Sequence, residues 1–102
     1  MAELIAQGPE THQRWRRTLR PNEPFVLGRE AGLWSIPWDP HISRRHATAC
    51  WSDGQLRVER LPEARNPIFL SGRETASLSL KPGEHFVIGN TTWKKRAANT
   101  PK

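Results

Sequence analysis

Apolar residues in this chain come in short runs broken by Pro and Gly. The breakers are Pro21, Pro24, Gly28, Gly32, Pro37, Pro40, Gly54, Pro62, Pro67, Gly72, Pro82, Gly83 and Gly89. No stretch keeps apolar residues at i, i+3, i+4 and i+7 over three turns, so no long helix is expected. The pattern predicts short strands instead: Gln13 to Leu19, Phe25 to Leu27, Trp34 to Ile36, Ala47 to Trp51, Gln55 to Leu61, Ile68 to Leu70, Ala76 to Leu80, His85 to Ile88 and Thr91 to Trp93. Ser52-Asp53-Gly54 joins two of these, and Asp-Gly is a strong hairpin signal. In Gln55 to Leu61 the alternation puts Leu56, Val58 and Arg60 on one face and Arg57 and Glu59 on the other. Many short strands in 102 residues imply an all-β sandwich with one modest core.

Charge adds an asymmetry. The net charge is +6, yet residues 94–102 contain Lys94, Lys95, Arg96 and Lys102 and no acid, which leaves the preceding body at only +2. The reading is a domain over 13–93 with an N-terminal extension over 1–12 and a basic, flexible tail over 94–102. Cys50 stands alone, so no internal disulfide is possible, and no Cys/His cluster has metal-ligand spacing. A reducing, cytoplasmic setting fits. No apolar run approaches a membrane span, and the N-terminus lacks a signal-peptide pattern.

Enzyme signals are absent: there is no GxSxG, HExxH or Walker-type loop. Ser43 and His46 are three apart, but nothing marks an oxyanion hole or an orienting acid beside them. The informative segments are Leu27-Gly28-Arg29 and Ile42-Ser43-Arg44-Arg45-His46-Ala47. Gly28 lets the chain leave a strand sharply, and Arg29 then offers a planar fork of donors suited to phosphate. Ser43 adds a hydroxyl and Arg44 a second cation. On spacing alone, this reads equally as two loops converging on one phosphate or as scattered surface arginines.

Taken in order, these segments resemble a known family. Leu27-Gly28-Arg29, Ser43-Arg44-Arg45-His46-Ala47, Asn66 within Ala64 to Gly72, and Leu80-Lys81-Pro82-Gly83-Glu84-His85-Phe86-Val87-Ile88-Gly89 are similar to the forkhead-associated (FHA) domain across residues 24–93. The resemblance implies a β-sandwich of about eleven short strands that binds phosphothreonine peptides through loops at one end. It implies that Arg29, Ser43 and Arg44 hold the phosphate, that Asn66, Arg65 and Arg45 meet the peptide, and that Gly28 and His46 are structural. It implies no cofactor, no metal and no catalysis, and a phosphothreonine-containing protein as partner. It also suggests the N-terminal part of a longer regulatory protein. The sequence departs from the family pattern in two places: Pro67 follows Asn66, and Ser71 stands where a second Asn is usual.

Two other functions stay in view. Arg14, Arg16 and Arg20 alternate with Trp15, and with Arg17 and the basic tail they suggest a nucleic-acid stripe. The nearly neutral body counts against that reading. The second alternative is an FHA-like scaffold that binds a partner without phosphate. Trp34, Trp51 and Trp93 are expected to pack in the core or at its rim.

Overall fold

The computed structural model describes residues 2–81 and 83–97, which form ten strands and one 3-10 turn. In chain order the strands are β1 (Ala2–Gln7), β2 (Arg14–Leu19), β3 (Phe25–Leu27), β4 (Ala47–Ser52), β5 (Gln55–Arg60), β6 (Ile68–Leu70), β7 (Arg73–Thr75), β8 (Ser77–Leu80), β9 (His85–Ile88) and β10 (Thr91–Ala97). They make two antiparallel sheets, ordered β2-β1-β10-β9-β6-β7 and β3-β4-β5-β8. This is the expected all-β sandwich.

The core follows from strand alternation. Leu4 and Ala6 of β1, Trp93 of β10, and Phe86 and Ile88 of β9 point inward from the larger sheet. Ala47, Ala49, Leu56, Val58, Leu78 and Leu80 answer from the smaller one. Each fully buried Leu, Ile or Phe contributes about 1.5–3 kcal/mol. Trp93 and Phe86 face each other across β10 and β9 with their rings parallel, centroids 5.2 Å apart. Val58 pairs with Ala49 on one side and Leu78 on the other, so the face expected from its alternation is the buried one. Arg60, on that same phase, lies at the strand's end and is exposed.

Several expectations need correction. Residues 2–7, expected in an extension, form β1, which lies between β2 and β10 inside the larger sheet. Small residues hide this strand: Ala2 and Ala6 bury as completely as Leu4 but give little hydrophobic signal. Lys94 to Ala97, expected in the tail, continue β10 along β1. The rest of that tail, 98–102, lies outside the described residues. Trp34-Ser35-Ile36 is not a strand. Gly32–Trp34 is a 3-10 turn, followed by one bridge between Ser35 and Gly28. β7 was not anticipated, because Arg73-Glu74-Thr75 sits at a sheet edge with no buried face.

Candidate functional site

The loops β1–β2, β3–β4, β5–β6 and β9–β10 meet at one end of the sandwich. The long β3–β4 loop, residues 28–46, is the one that must be held in shape. Gly28 starts it. A Cβ there would lie 2.1 Å from the Arg44 carbonyl oxygen, so only glycine lets the two strands of the loop approach so closely. That approach allows the Arg29 N–H to donate to Ser43 O at 2.9 Å and the Glu30 N–H to donate to Arg44 O at 3.2 Å.

His46 is fully buried beneath the loop. Its Nδ1 accepts the Ser43 N–H at 3.0 Å, which places the proton on Nε2, and Nε2 donates to Asn66 O at 2.8 Å. One neutral imidazole thus ties the serine loop to the asparagine loop. Burial pushes its pKa below the ordinary 6.5. The Asn66 carbonyl and the Asp39 carboxylate raise it, and Arg60 lowers it further, but desolvation is the largest influence.

Asp39 braces the loop from the other side. Its carboxylate is buried and accepts three hydrogen bonds: from His41 N at 3.0 Å, Asn90 N at 2.8 Å and Thr91 Oγ1 at 2.8 Å. Trp38 Nε1 donates to the same Thr91 hydroxyl at 3.1 Å. Asp39 was missed in the sequence. The only signal was an acid between Trp38 and Pro40, and nothing local shows that its partners lie on the β9–β10 turn. Trp38 therefore serves as an anchor of the loop.

Above this frame lies an open cleft of about 520 Å³. Its lining includes Arg29, Ser43, Arg44, Arg45, Arg65 and Asn66, so the two loops singled out in the sequence do converge. Glu63 is the one acid among the lining residues, against four guanidinium groups. The donors are arranged for an anion. Ser43 Oγ accepts the Arg65 N–H at 3.1 Å, which leaves the hydroxyl proton to donate outward. Arg29 uses Nη1 on Ile42 O at 3.1 Å, which fixes the fork and leaves its other N–H groups for a ligand. Arg44 has only a 3.7 Å pairing with Glu30, with both side chains largely exposed, and such a pair is weak enough to yield to a phosphate. Asn66 Nδ2 donates to His41 O, which orients the carboxamide and leaves its oxygen able to accept a hydrogen bond.

The two sequence departures fall differently. Pro67 follows Asn66 into β6 without disturbing the His46 tie, because that tie uses the Asn66 carbonyl rather than a residue 67 N–H. Ser71 has φ 53° in the tight turn between β6 and β7, with Gly72 at φ 78°, and it is not among the cleft-lining residues.

No family model matches the chain, and no curated protein sequence matches it. Solved structures do. The FHA domain of a Chlamydia trachomatis protein superposes with a TM-score of 0.78 at 18% identity, over 97% of this chain and 100% of that one. The FhaA FHA domain, solved in complex with the intracellular domain of another protein, gives 0.76 at 18% identity, over 94% and 100%. A domain from a structural and functional analysis of phosphothreonine-dependent FHA domain interactions gives 0.73 at 17% identity, over 95% and 98%.

Proposed function

We propose that this chain, which has the FHA-domain fold, binds phosphorylated segments of partner proteins in the cleft between its β3–β4 and β5–β6 loops, with phosphothreonine as the preferred residue. The observation that carries the reading is the convergence of Arg29, Arg44, Arg45 and Arg65 around the outward hydroxyl of Ser43. Four cations around one acid, on a rigid hydrogen-bonded frame, form a site whose natural occupant is a doubly charged group. In this reading Arg29, Ser43 and Arg44 take the phosphate. Asn66 meets the peptide backbone, and Arg45 and Arg65 favour acidic residues beside the phosphothreonine. Support comes also from the structural neighbours, one solved in work on phosphothreonine-dependent interactions and one with a protein partner.

The phosphate requirement rests on charge, since an empty site leaves the arginines facing one another. The preference for threonine over serine rests on one methyl group, which contributes about 0.8 kcal/mol when buried. The test is to titrate a degenerate phosphothreonine peptide library, its phosphoserine counterpart and the unphosphorylated library at one salt concentration. The expected order is phosphothreonine, then phosphoserine by a few-fold, then no measurable binding. Equal affinity for phosphorylated and plain peptides would remove the proposed function, and equal affinity for the two phosphopeptides would remove only the methyl preference.

A further inference from the structure

Leu33 is the one large apolar side chain left open to solvent among the described residues, 72% exposed. The turn that carries it is held from several directions. The Ala31 N–H donates to Ser35 Oγ at 2.8 Å, and that hydroxyl donates to Gly32 O at 2.8 Å. From β2, Trp15 Nε1 donates to Ser35 O at 2.9 Å and Arg17 Nε donates to Leu33 O at 3.1 Å. Trp34 stacks on Phe25, centroids 3.9 Å apart, and meets Trp15 edge-on at 5.7 Å. A leucine fixed in this way is held beside the Phe25 and Trp34 rings, so the three make one apolar surface rather than a lone exposed side chain.

Beside it runs a cleft of about 400 Å³, whose lining includes Arg17, Arg20, Glu23, Phe25, Leu33 and Trp34. Its lining is drawn from β2, from β3 and from the 3-10 turn, and β2 and β3 each lie at an edge of their sheet. It shares no lining residue with the phosphate cleft. We infer that it is a second docking surface, which takes from a partner protein a segment carrying an apolar side chain next to carboxylates.

The apolar requirement comes from Leu33, Trp34 and Phe25, which offer a flat hydrocarbon wall of the kind that accepts an anchoring side chain. The acidic requirement comes from charge on both sides of β2. Arg17 and Arg20 line the cleft against the single Glu23. Arg14 and Arg16 are exposed on the outer face of the same strand. The register adds Lys94 and Arg96 to that face, because Ile5 of β1 pairs with Arg16 on one side and Lys94 on the other, and Glu3 pairs with Arg96; Glu3 is the one acid there and lies 3.7 Å from Arg16. An acidic segment arriving at β2 meets an excess of cations on either side of the strand. A nucleic-acid backbone would use the cations but gain nothing from a displayed leucine. A partner that held a phosphorylated residue in one cleft and this segment in the other would gain avidity from the pair of contacts.

The test is selection of random unphosphorylated peptides of about a dozen residues from a display library, on the wild-type domain and on Leu33→Asp, Arg20→Glu and Arg29→Ala. Leu33 and Arg20 are exposed, so the first two variants are expected to fold, and a thermal melt checks that. The expected result is enrichment of peptides with Leu, Phe or Trp beside Asp or Glu on the wild type and on Arg29→Ala alike. Their affinity should fall about tenfold on Leu33→Asp and on Arg20→Glu. No such enrichment, or enriched peptides indifferent to Leu33→Asp, overturns the proposal. So does random duplex DNA that binds the wild type and weakens on Arg20→Glu while no peptide does. Enriched peptides that lose affinity on Arg29→Ala would lie in the other cleft and overturn the proposal too.

Discussion

The imidazole of His46 donates from Nε2 to the backbone carbonyl of Asn66 at 2.8 Å, across twenty residues of sequence. On the other side of the ring Nδ1 accepts the Ser43 N–H, and that bond requires a neutral ring. Protonation would set two donors against each other in a buried place. The folded ring therefore resists the proton, whereas the unfolded ring takes it up near pH 6.5. Below that pH the unfolded state binds more protons, so stability rises with pH through the window just under 6.5 and is complete above it. Urea melts across this range should show the slope. In His46→Ala the slope should flatten, and stability at neutral pH should drop by about 1–3 kcal/mol, the cost of two buried groups left unpaired. A variant as stable as the parent at every pH would mean the ring does not brace the loops.

Arg29→Ala should abolish most phosphopeptide binding and leave a folded domain. A charge-assisted bond to phosphate contributes about 1.5–3 kcal/mol, and Arg29 offers more than one. What the fold loses is a single bond to Ile42 O, about 1 kcal/mol. Calorimetry beside a thermal melt separates the two effects. Affinity that survives, or disappears only with the fold, would place the phosphate elsewhere.

Asp39→Ala should be the more damaging change, although Asp39 is not among the cleft-lining residues. Three donors would lose their acceptor at once: His41 N, Asn90 N and Thr91 Oγ1. The expected cost is about 3 kcal/mol, with weaker phosphopeptide binding as the 39–43 segment loosens. Asp39→Asn should cost less, because its one carbonyl oxygen can still serve the Asn90 and Thr91 donors. Equal melting temperatures for the two variants would contradict this account.

Ser71→Asn should stabilise the domain. Ser71 holds φ 53°, a left-handed conformation that asparagine tolerates better than serine. The gain expected is a few tenths of a kcal/mol, up to about 0.5 kcal/mol, without change in affinity. A lower melting temperature would show that the turn does not limit stability here.

Lys95→Met should also stabilise. Lys95 points into the sandwich, 3% exposed, with its ammonium 4.2 Å from the centre of the Trp51 ring. Burial lowers its pKa, the signature of a charge held away from water at a cost. The ring returns part of that cost through a cation–π contact, and a thioether of similar shape would avoid it. A gain of about 1 kcal/mol in urea melts is expected, and a loss would mean that the contact with Trp51 outweighs the burial.

Much of this protein was legible in its sequence. Strand alternation marked the buried face of β5, Asp53-Gly54 marked a hairpin, and Arg29 and Ser43 marked two loops that line one cleft. These are local signals: each depends on which residues lie within a few positions of one another, and backbone geometry makes that sufficient. What the sequence did not show was set by partners distant along the chain. β1 has too little apolar contrast to announce itself and exists because β2 and β10 flank it. The basic end of the chain reads as a tail, yet the register of β10 on β1 lays Lys94 and Arg96 on the sheet face that carries Arg14 and Arg16. Asp39 carries no local signal of its role, which appears only when the fold brings Asn90 and Thr91 to it. The sequence by itself determined the fold class and the residue types that line the cleft, because period and residue type carry both. Only the tertiary structure decided how the loops are braced, where the cations gather and which leucine is left in water, because these depend on contacts between residues far apart in the chain.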